Sequence, residues 1–243
     1  MRLQPVQFTC DGYPLAGLRY VPSEFVASCT TVLVHGYTAG KYSLDGLAGY
    51  LALRGLPCVT VDLAGHKLGS SGGSMSTPQV AADNVIAVVR SLRREAQGDD
   101  FVLCGHSLGA AACISAASSL LEHNIDVKAV IAMAMGDNPS HGFSSMVGKK
   151  MLEQRSDYVT GASAEQFIAQ LDGFIRDLPP ITCPALFVAA RQDVLLPTGS
   201  VFALADRLNP HCDRQIISSS HMDLPDTARA SIHGWLKTVL ATP

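Results

Sequence analysis

Short apolar runs alternate along the chain with longer segments in which apolar residues recur every three or four positions. The runs have the length of single strands, and both of their faces are apolar, as in strands buried between two layers of helices. They lie at residues 31–34, 58–62, 101–104, 127–135, 184–190 and 215–218. This alternation predicts an α/β fold, in which a mostly parallel twisted sheet carries helices on both faces.

Turn and capping signals mark the remaining predicted elements. Asp11-Gly12 is typical of a hairpin turn and predicts an antiparallel edge to the sheet. Gly55 is a helix stop, and Thr77-Pro78 has the N-cap and first-position residues of a helix start. The elements so predicted are a hairpin of residues 6–10 and 15–21, and helices over 43–54, from 78 onward and over about 227–240.

One segment is longer than the alternation requires. The strands predicted at 127–135 and 184–190 are separated by more chain than a simple crossover needs. Within it, Ser163-Ala164-Glu165-Gln166 has the pattern of a capping box that opens a helix, and several apolar residues have no strand to cover. We therefore predict a single domain over residues 1–243, with a short lid inserted at about 137–180. An ordinary long crossover that contains a helix is the alternative.

Composition narrows the class of protein. The 243 residues, 47% of them apolar, suffice for one large core, and a formal net charge of −3 disfavours nucleic acid as a partner. No apolar run approaches the roughly 20 residues of a membrane span, and the first residues lack the apolar region of a signal peptide. The seven cysteines are irregularly spaced and form no Cys-x-x-Cys pair. We expect reduced cysteines in a cytoplasmic protein, without a zinc site.

A candidate nucleophile lies in Gly105-His106-Ser107-Leu108-Gly109, between the strand predicted at 101–104 and a helix-compatible run of small residues. Strand, Gly-x-Ser-x-Gly and helix together are the context of a serine exposed on a tight turn. A serine hydroxyl is a weak nucleophile until a base takes its proton. Ser107 is therefore the predicted nucleophile, and His106, at the variable position, is expected to point away from the site.

His221 is the predicted base, and Asp193 is the predicted acid that orients it. Each follows a predicted strand, so both should lie with Ser107 at the carboxyl edge of the sheet, where catalytic groups gather. The chain order serine, aspartate, histidine is the one expected for such a sheet. Asp137, which follows the preceding strand, is the rival acid.

Two backbone N–H groups are expected to bind the oxyanion of the reaction. One belongs to Leu108, directly after the nucleophile, and the other to Tyr37, in the loop after the strand at 31–34. The turn from Asp62 to His66 is assigned a structural role.

The predicted lid supplies the candidate substrate wall. Its apolar residues Phe143, Met146 and Phe174 are candidates for binding the acyl or aromatic part of a substrate. The predicted chemistry requires neither a metal nor another cofactor.

Together these residues resemble the α/β-hydrolase family over nearly the whole chain. The motifs that carry the resemblance are His35-Gly36, Asp62-x-x-Gly65-His66, Gly105-x-Ser107-x-Gly109, Asp193 with Pro197 beyond it, and His221. Segment 35–41 and the short lid are similar to those of compact bacterial carboxylesterases, including cinnamoyl (feruloyl) esterases. The chain departs from the pattern in segment 65–70, Gly-His-Lys-Leu-Gly-Ser, where relatives commonly continue Gly-His-Gly-x-Ser. Related dehalogenases and epoxide hydrolases use an aspartate nucleophile, so Ser107 argues against those activities.

The resemblance implies the α/β-hydrolase fold and a serine hydrolase that cleaves small carboxylic esters through an acyl-enzyme intermediate. A thioesterase, amidase or peptidase would use the same three side chains. A carbon–carbon hydrolase and a non-catalytic binding protein on this fold are further alternatives. The acyl and alcohol groups stay open, as does the formation of a homo-oligomer.

Overall fold

The computed structural model describes residues 1–26, 29–95 and 100–241. Its strands are β1 (Arg2–Cys10), β2 (Tyr13–Val21), β3 (Cys29–Val34), β4 (Cys58–Val61), β5 (Asp100–His106), β6 (Val127–Met133), β7 (Ala185–Ala190) and β8 (Asp213–Ile217). Within the described residues they form one eight-stranded sheet in the order β1-β2-β4-β3-β5-β6-β7-β8. β2 pairs antiparallel with both β1 and β4, and the other neighbours are parallel. The predicted parallel sheet with an antiparallel edge is confirmed.

Helices cover both faces of the sheet. They are α1 (Asp45–Ala52), α2 (Pro78–Glu95), α3 (Leu108–Glu122), α4 (Pro139–Phe143), α5 (Met146–Arg155), α6 (Ala164–Arg176), α7 (Thr198–Leu208) and α8 (Leu224–Leu240), with 3-10 turns at Lys41–Leu44 and Ser156–Tyr158. α1 and α8 bury their apolar side chains in one core, and α2, α3, α6 and α7 bury theirs in the other. Each core lies between the sheet and one helical layer, as the strands with two apolar faces require.

Some predicted boundaries shift for local reasons. The strand predicted to reach residue 135 ends at Met133, because Ala134 has a φ of 48° and leaves strand geometry. The helix predicted over 43–54 begins as a 3-10 turn and ends at Ala52, ahead of Gly55 with its φ of 86°. α7 has no counterpart among the predicted elements, although its buried residues have the spacing of a helix face. They are Val201, Leu204, Ala205 and Leu208.

The segment between β6 and β7 holds α4, α5 and α6. α6 opens with the predicted capping box: Ser163 Oγ accepts from the N–H of Gln166, and the Gln166 side chain accepts from the N–H of Ser163. α6 is anchored, since Phe167 and Leu171 are buried in the core. α5 buries only Gly148. The segment is therefore fixed to the body through α6, and its action as a lid stays a prediction.

No helix among the described residues is both long enough and apolar enough to cross a bilayer. All seven cysteines lie in the described ranges, and no disulfide joins any two of them.

Candidate active site

Ser107 stands on a sharp turn between β5 and α3. Its backbone has a φ of 52° and a ψ of −121°, a strained conformation for a residue with a side chain. Two glycines make the turn possible: a β-carbon on Gly105 would lie 2.2 Å from the carbonyl of Gly109, and one on Gly109 would lie 2.1 Å from the carbonyl oxygen of Val34. The pentapeptide thus forms the strand–turn–helix arrangement expected of a nucleophilic serine.

His221 and Asp193 form a buried pair at the same edge of the sheet. His221 Nδ1 lies 2.7 Å from Asp193 Oδ2. Because a carboxylate only accepts, Nδ1 carries a proton, so in the neutral form of the ring Nε2 has the lone pair. Asp193 Oδ1 accepts from the N–H groups of Leu195 and Leu196, both at 2.9 Å. The pair therefore holds the imidazole in the tautomer that a general base needs.

The hydrogen bonds to Asp193 also set its charge. Burial on its own would raise the pKa of this carboxyl, but the hydrogen bond and charge of His221 and the N–H groups of Leu195 and Leu196 outweigh burial. The net result is a pKa below the ordinary value of 3.8. Asp193 is accordingly an anion at neutral pH and can stabilise a proton on His221.

Ser107 and His221 line one cavity. Within the described residues, no hydrogen bond joins Ser107 Oγ to the ring of His221, although each side chain is largely buried there. Catalytic hydrogen bonds of this kind commonly tighten only when substrate binds.

The rival acid lies apart from His221. Asp137 is exposed, and its Oδ1 accepts from Ser200 Oγ at 2.6 Å at the start of α7. Its backbone N–H donates to the carbonyl of the same serine at 3.2 Å. Asp137 thus ties β6 to α7, and the structure brings Asp193 to the histidine instead.

The expectation for His106 is wrong. Its side chain lines the cavity, and its ring centroid lies 4.9 Å from that of His221. Burial first, and the charge of His221 second, lower the pKa of His106 to about 3. The ring is therefore neutral, and its Nε2–H donates to the backbone carbonyl of His221 at 2.9 Å. His106 points into the site because β5 continues through it, beside the loop that carries His221.

The loop after β3 lies against the serine. A tight turn forms at Gly36, whose carbonyl accepts from the N–H of Ala39 at 3.2 Å. Thr38 adopts a φ of 64°, which is strained for a β-branched residue. A β-carbon on Gly36 would lie only 3.1 Å from Ser107 Cβ. The ring of Tyr37 is held from the side, since it stacks on Phe167 of α6 at 4.5 Å between centroids.

The two predicted oxyanion donors lie beside this contact. Leu108 is the first residue of α3, so its N–H has no acceptor within the helix. Tyr37 is the second residue of the turn, a position whose N–H the turn's own hydrogen bond does not use. Neither N–H group is therefore used by the turn or the helix to which it belongs, and their role as oxyanion donors stays a prediction.

A buried ion pair anchors the same loop. Asp62, which is fully buried, accepts from the backbone N–H of Lys41 at 2.7 Å and from Lys41 Nζ at 2.5 Å. It also accepts from the N–H of Ser70 at 2.8 Å. The turn that departs from the family pattern thus wraps around this carboxylate. The structural role predicted for Asp62 fits these contacts. The burial of Lys41 could not be predicted from the sequence, because a lysine in a loop is normally exposed.

The cavity is narrow, and the segment between β6 and β7 forms part of its wall. Its free volume is about 20 Å³, close to the room for one water molecule. The residues that line it are Gly36, Tyr37, Thr38, Ala39, His106, Ser107, Phe143, Met151, Leu152, Arg155, His221 and Met222.

Of the three residues predicted as a substrate wall, only Phe143 lines this cavity. Met146 begins α5 and is 86% exposed. Phe174 lies on α6 and packs against the hydrophobic core. The cavity wall predicted for these two residues is formed instead by three residues on one face of α5, which turns toward Ser107: Met151, Leu152 and Arg155.

A serine on a strained turn, a histidine oriented by a carboxylate and two N–H groups beside the serine are the kinds of group that acyl transfer would need. No cluster of three or more histidine, cysteine or acidic side chains in the described ranges could hold a metal ion.

Known families and structures are similar to the chain over most of its length. A family model described as the Alpha/beta hydrolase family matches residues 31–238. A protein of Butyrivibrio proteoclasticus with ferulic acid bound is similar at 20% identity and a TM-score of 0.76, covering 98% of this chain and 100% of that one. An esterase of Pyrococcus furiosus is similar at 15% identity and a TM-score of 0.76, with 98% and 92% covered. The thioesterase domain of the curacin biosynthetic pathway has 15% identity and a TM-score of 0.69, with 98% and 100% covered. No curated protein matches the chain by sequence.

Proposed function

The chain belongs to the alpha/beta hydrolase family, and we propose that it is a serine hydrolase that cleaves carboxylic esters through an acyl-enzyme intermediate. The observation that carries the proposal is the 2.7 Å hydrogen bond between His221 and Asp193, in a cavity that a serine on a strained turn also lines. Backbone strain of this kind costs free energy, and it is explained if the turn exposes the serine hydroxyl for reaction.

In the proposed first step, Ser107 Oγ attacks the ester carbonyl while His221 Nε2 takes its proton. The N–H groups of Tyr37 and Leu108 bind the oxyanion of the tetrahedral intermediate. His221 then gives the proton to the leaving alcohol. In the second step it activates a water molecule, which releases the acid from Ser107.

Asp193 supports both steps through its charge. The imidazolium formed in each step lies against a buried carboxylate, whose other oxygen is held by two backbone N–H groups. Such a fixed anion stabilises the developing positive charge without having to reorganise. His106 also helps to position His221, because its Nε2–H donates to the backbone carbonyl of that residue.

Substrate access requires the covering segment to move. The free space beside Ser107 holds about one water molecule, which is too little for an ester. Phe143, Met151 and Leu152 form that cover. We propose that residues 137–180 act as a lid, with α6 as the anchored part and α5 as the part that is displaced.

As the substrate class, we propose a hydroxycinnamate or related aryl ester. It draws on the resemblance of segment 35–41 to cinnamoyl esterases and on the aromatic side chain of Phe143 at the cavity. A panel of 4-nitrophenyl and hydroxycinnamate esters tests it. An oxygen ester, a thioester and an amide of one acyl group, compared at equal concentration, separate an esterase from a thioesterase or amidase.

The decisive variant for the reaction class is Ser107→Ala. We expect its kcat for 4-nitrophenyl butyrate to fall by about 10³-fold or more, because no other group replaces the nucleophile. Ser119→Ala, on the same helix α3 and outside the cavity, is the matched control and should keep its activity. Circular dichroism checks that both variants are folded. Turnover in Ser107→Ala at the unaltered rate would contradict the proposal.

A further inference from the structure

Arg155 places a positive charge on the wall of the cavity. It is the last residue of α5, it is half-buried, and it lines the cavity together with Ser107 and His221. Its Nη1 donates to Thr38 Oγ1 at 3.4 Å, a long contact for a hydrogen bond. Most of the guanidinium's five N–H donors are thus left for another acceptor.

The charge of Arg155 is unmatched within the part of the chain that the structure describes. No carboxylate there lies within 4.0 Å of its guanidinium. The two other cations of the site each have a carboxylate partner: Lys41 is paired with Asp62, and His221 is bonded to Asp193. Among the described residues that line the cavity, Arg155 alone bears a permanent charge.

An unmatched guanidinium on the wall of a cavity selects its ligand by charge. Its planar fork fits the two oxygens of a carboxylate, and the attraction is stronger at a half-buried position than in bulk water. One cation balances one carboxylate. We propose that Arg155 determines specificity, and that the preferred substrates are esters that bear a carboxylate group on the acyl or the alcohol part. This inference rests on the proposed function of the same cavity.

The contact with Thr38 offers a competing role. Thr38 belongs to the loop that carries the N–H of Tyr37, so Arg155 could instead hold α5 against that loop. A positioning role of this kind would affect neutral and anionic esters alike. Substrate pairs that differ only in charge therefore separate the two roles.

The test uses two such pairs. On the acyl side, they are the mono-4-nitrophenyl ester of adipic acid and its uncharged terminal amide. On the alcohol side, they are 3-carboxyphenyl butyrate and 3-carbamoylphenyl butyrate. The wild-type protein should favour the acid over the amide by about 10- to 100-fold in kcat/KM in at least one pair, the range expected of a hydrogen-bonded charge pair.

Arg155→Gln should remove that preference by raising KM for the acid, with kcat/KM for the amide within about twofold of wild type. Lys150→Gln is the matched control, because it removes the same charge from an exposed position on the same helix. It should keep the preference. Three results would each overturn the inference: no preference for the acid in either pair, an equal loss on acid and amide in Arg155→Gln, or the same loss in Lys150→Gln.

Binding to Ser107→Ala separates this inference from the proposed chemistry. Calorimetry with the pair that shows the kinetic preference should show tighter binding of the acid, and the added Arg155→Gln change should abolish the difference. Carboxylate-selective binding without turnover of any ester by the wild type would overturn the proposed function alone. Turnover of both esters without selective binding would overturn the role of Arg155 alone.

Discussion

The replacement of Asp193 by asparagine probes the proposed triad without changing its shape. Oδ1 of Asp193 is held by the N–H groups of Leu195 and Leu196, so an asparagine at this position would keep its carbonyl oxygen there. Its NH₂ group would then face His221 Nδ1, where the carboxylate now accepts. Since two donors cannot bond each other, the imidazole would move its proton to Nε2, the atom proposed to take the serine proton.

The expected magnitude follows from that change of tautomer. An imidazole with its proton on Nε2 cannot act as the base, and the imidazolium would also lose its buried anion. In a serine protease, the same substitution costs about 10⁴ in kcat. The same cost here is equivalent to about 5.4 kcal/mol of transition-state stabilisation. We expect a loss of this order for Asp193→Asn.

The assay is the initial rate of 4-nitrophenyl ester hydrolysis at saturating substrate. Asp137→Asn is the matched control, since Asp137 also follows a sheet strand but is bonded to Ser200 rather than to the histidine. Its activity should stay within about twofold of wild type, as for a surface change away from the reacting groups. The reasoning is refuted if Asp193→Asn keeps a tenth of the wild-type kcat, or if Asp137→Asn loses more than Asp193→Asn does.

Further predictions concern stability and close packing. Lys41→Met leaves the fully buried Asp62 without its partner and should lower the free energy of unfolding by about 3–5 kcal/mol in urea titrations. Lys128→Met breaks an ion pair whose side chains are 49% and 39% exposed and should cost about 0–1 kcal/mol; equal costs for the two variants would contradict this. Gly36→Ala brings a methyl group to 3.1 Å from the β-carbon of the proposed nucleophile and should reduce kcat about tenfold without unfolding the protein. The pKa of Asp193 is lower in the folded chain than its ordinary value of 3.8, so its stabilising contribution is complete above that pH and is lost as pH falls through the folded-state pKa. The stability gap between wild type and Asp193→Asn should therefore narrow in urea titrations below about pH 4, and a gap that is constant down to pH 2 would refute this.

Local signals in the sequence suffice for the sheet and for the placement of Ser107. The strands with two apolar faces, the glycines of the elbow and the capping box of α6 each act within a few residues, so each can be read from the chain. The placement of Asp193 and His221 follows from a general property of parallel sheets, whose strand ends share one edge. These predictions needed no knowledge of which distant residues touch.

The rest of the site depends on contacts that only the folded chain creates. His106 is separated by 115 residues from the carbonyl that it binds, and Arg155 by 117 residues from Thr38. A sequence pattern does not report such partners, so a histidine and an arginine there look like ordinary polar residues. The same holds for Met146 and Phe174, whose directions depend on how α5 and α6 are rotated about their axes.

The central claim, that Ser107 carries the acyl group, is tested most directly by covalent labelling. A phosphonofluoridate reagent reacts with an activated serine, and peptide mapping by mass spectrometry locates the adduct. The account predicts a single phosphonyl group per chain, on Ser107, with esterase activity lost in proportion to labelling and no adduct on the Asp193→Asn variant over the same time. An adduct on another residue that abolishes activity, or full activity in a chain labelled at Ser107, would contradict it.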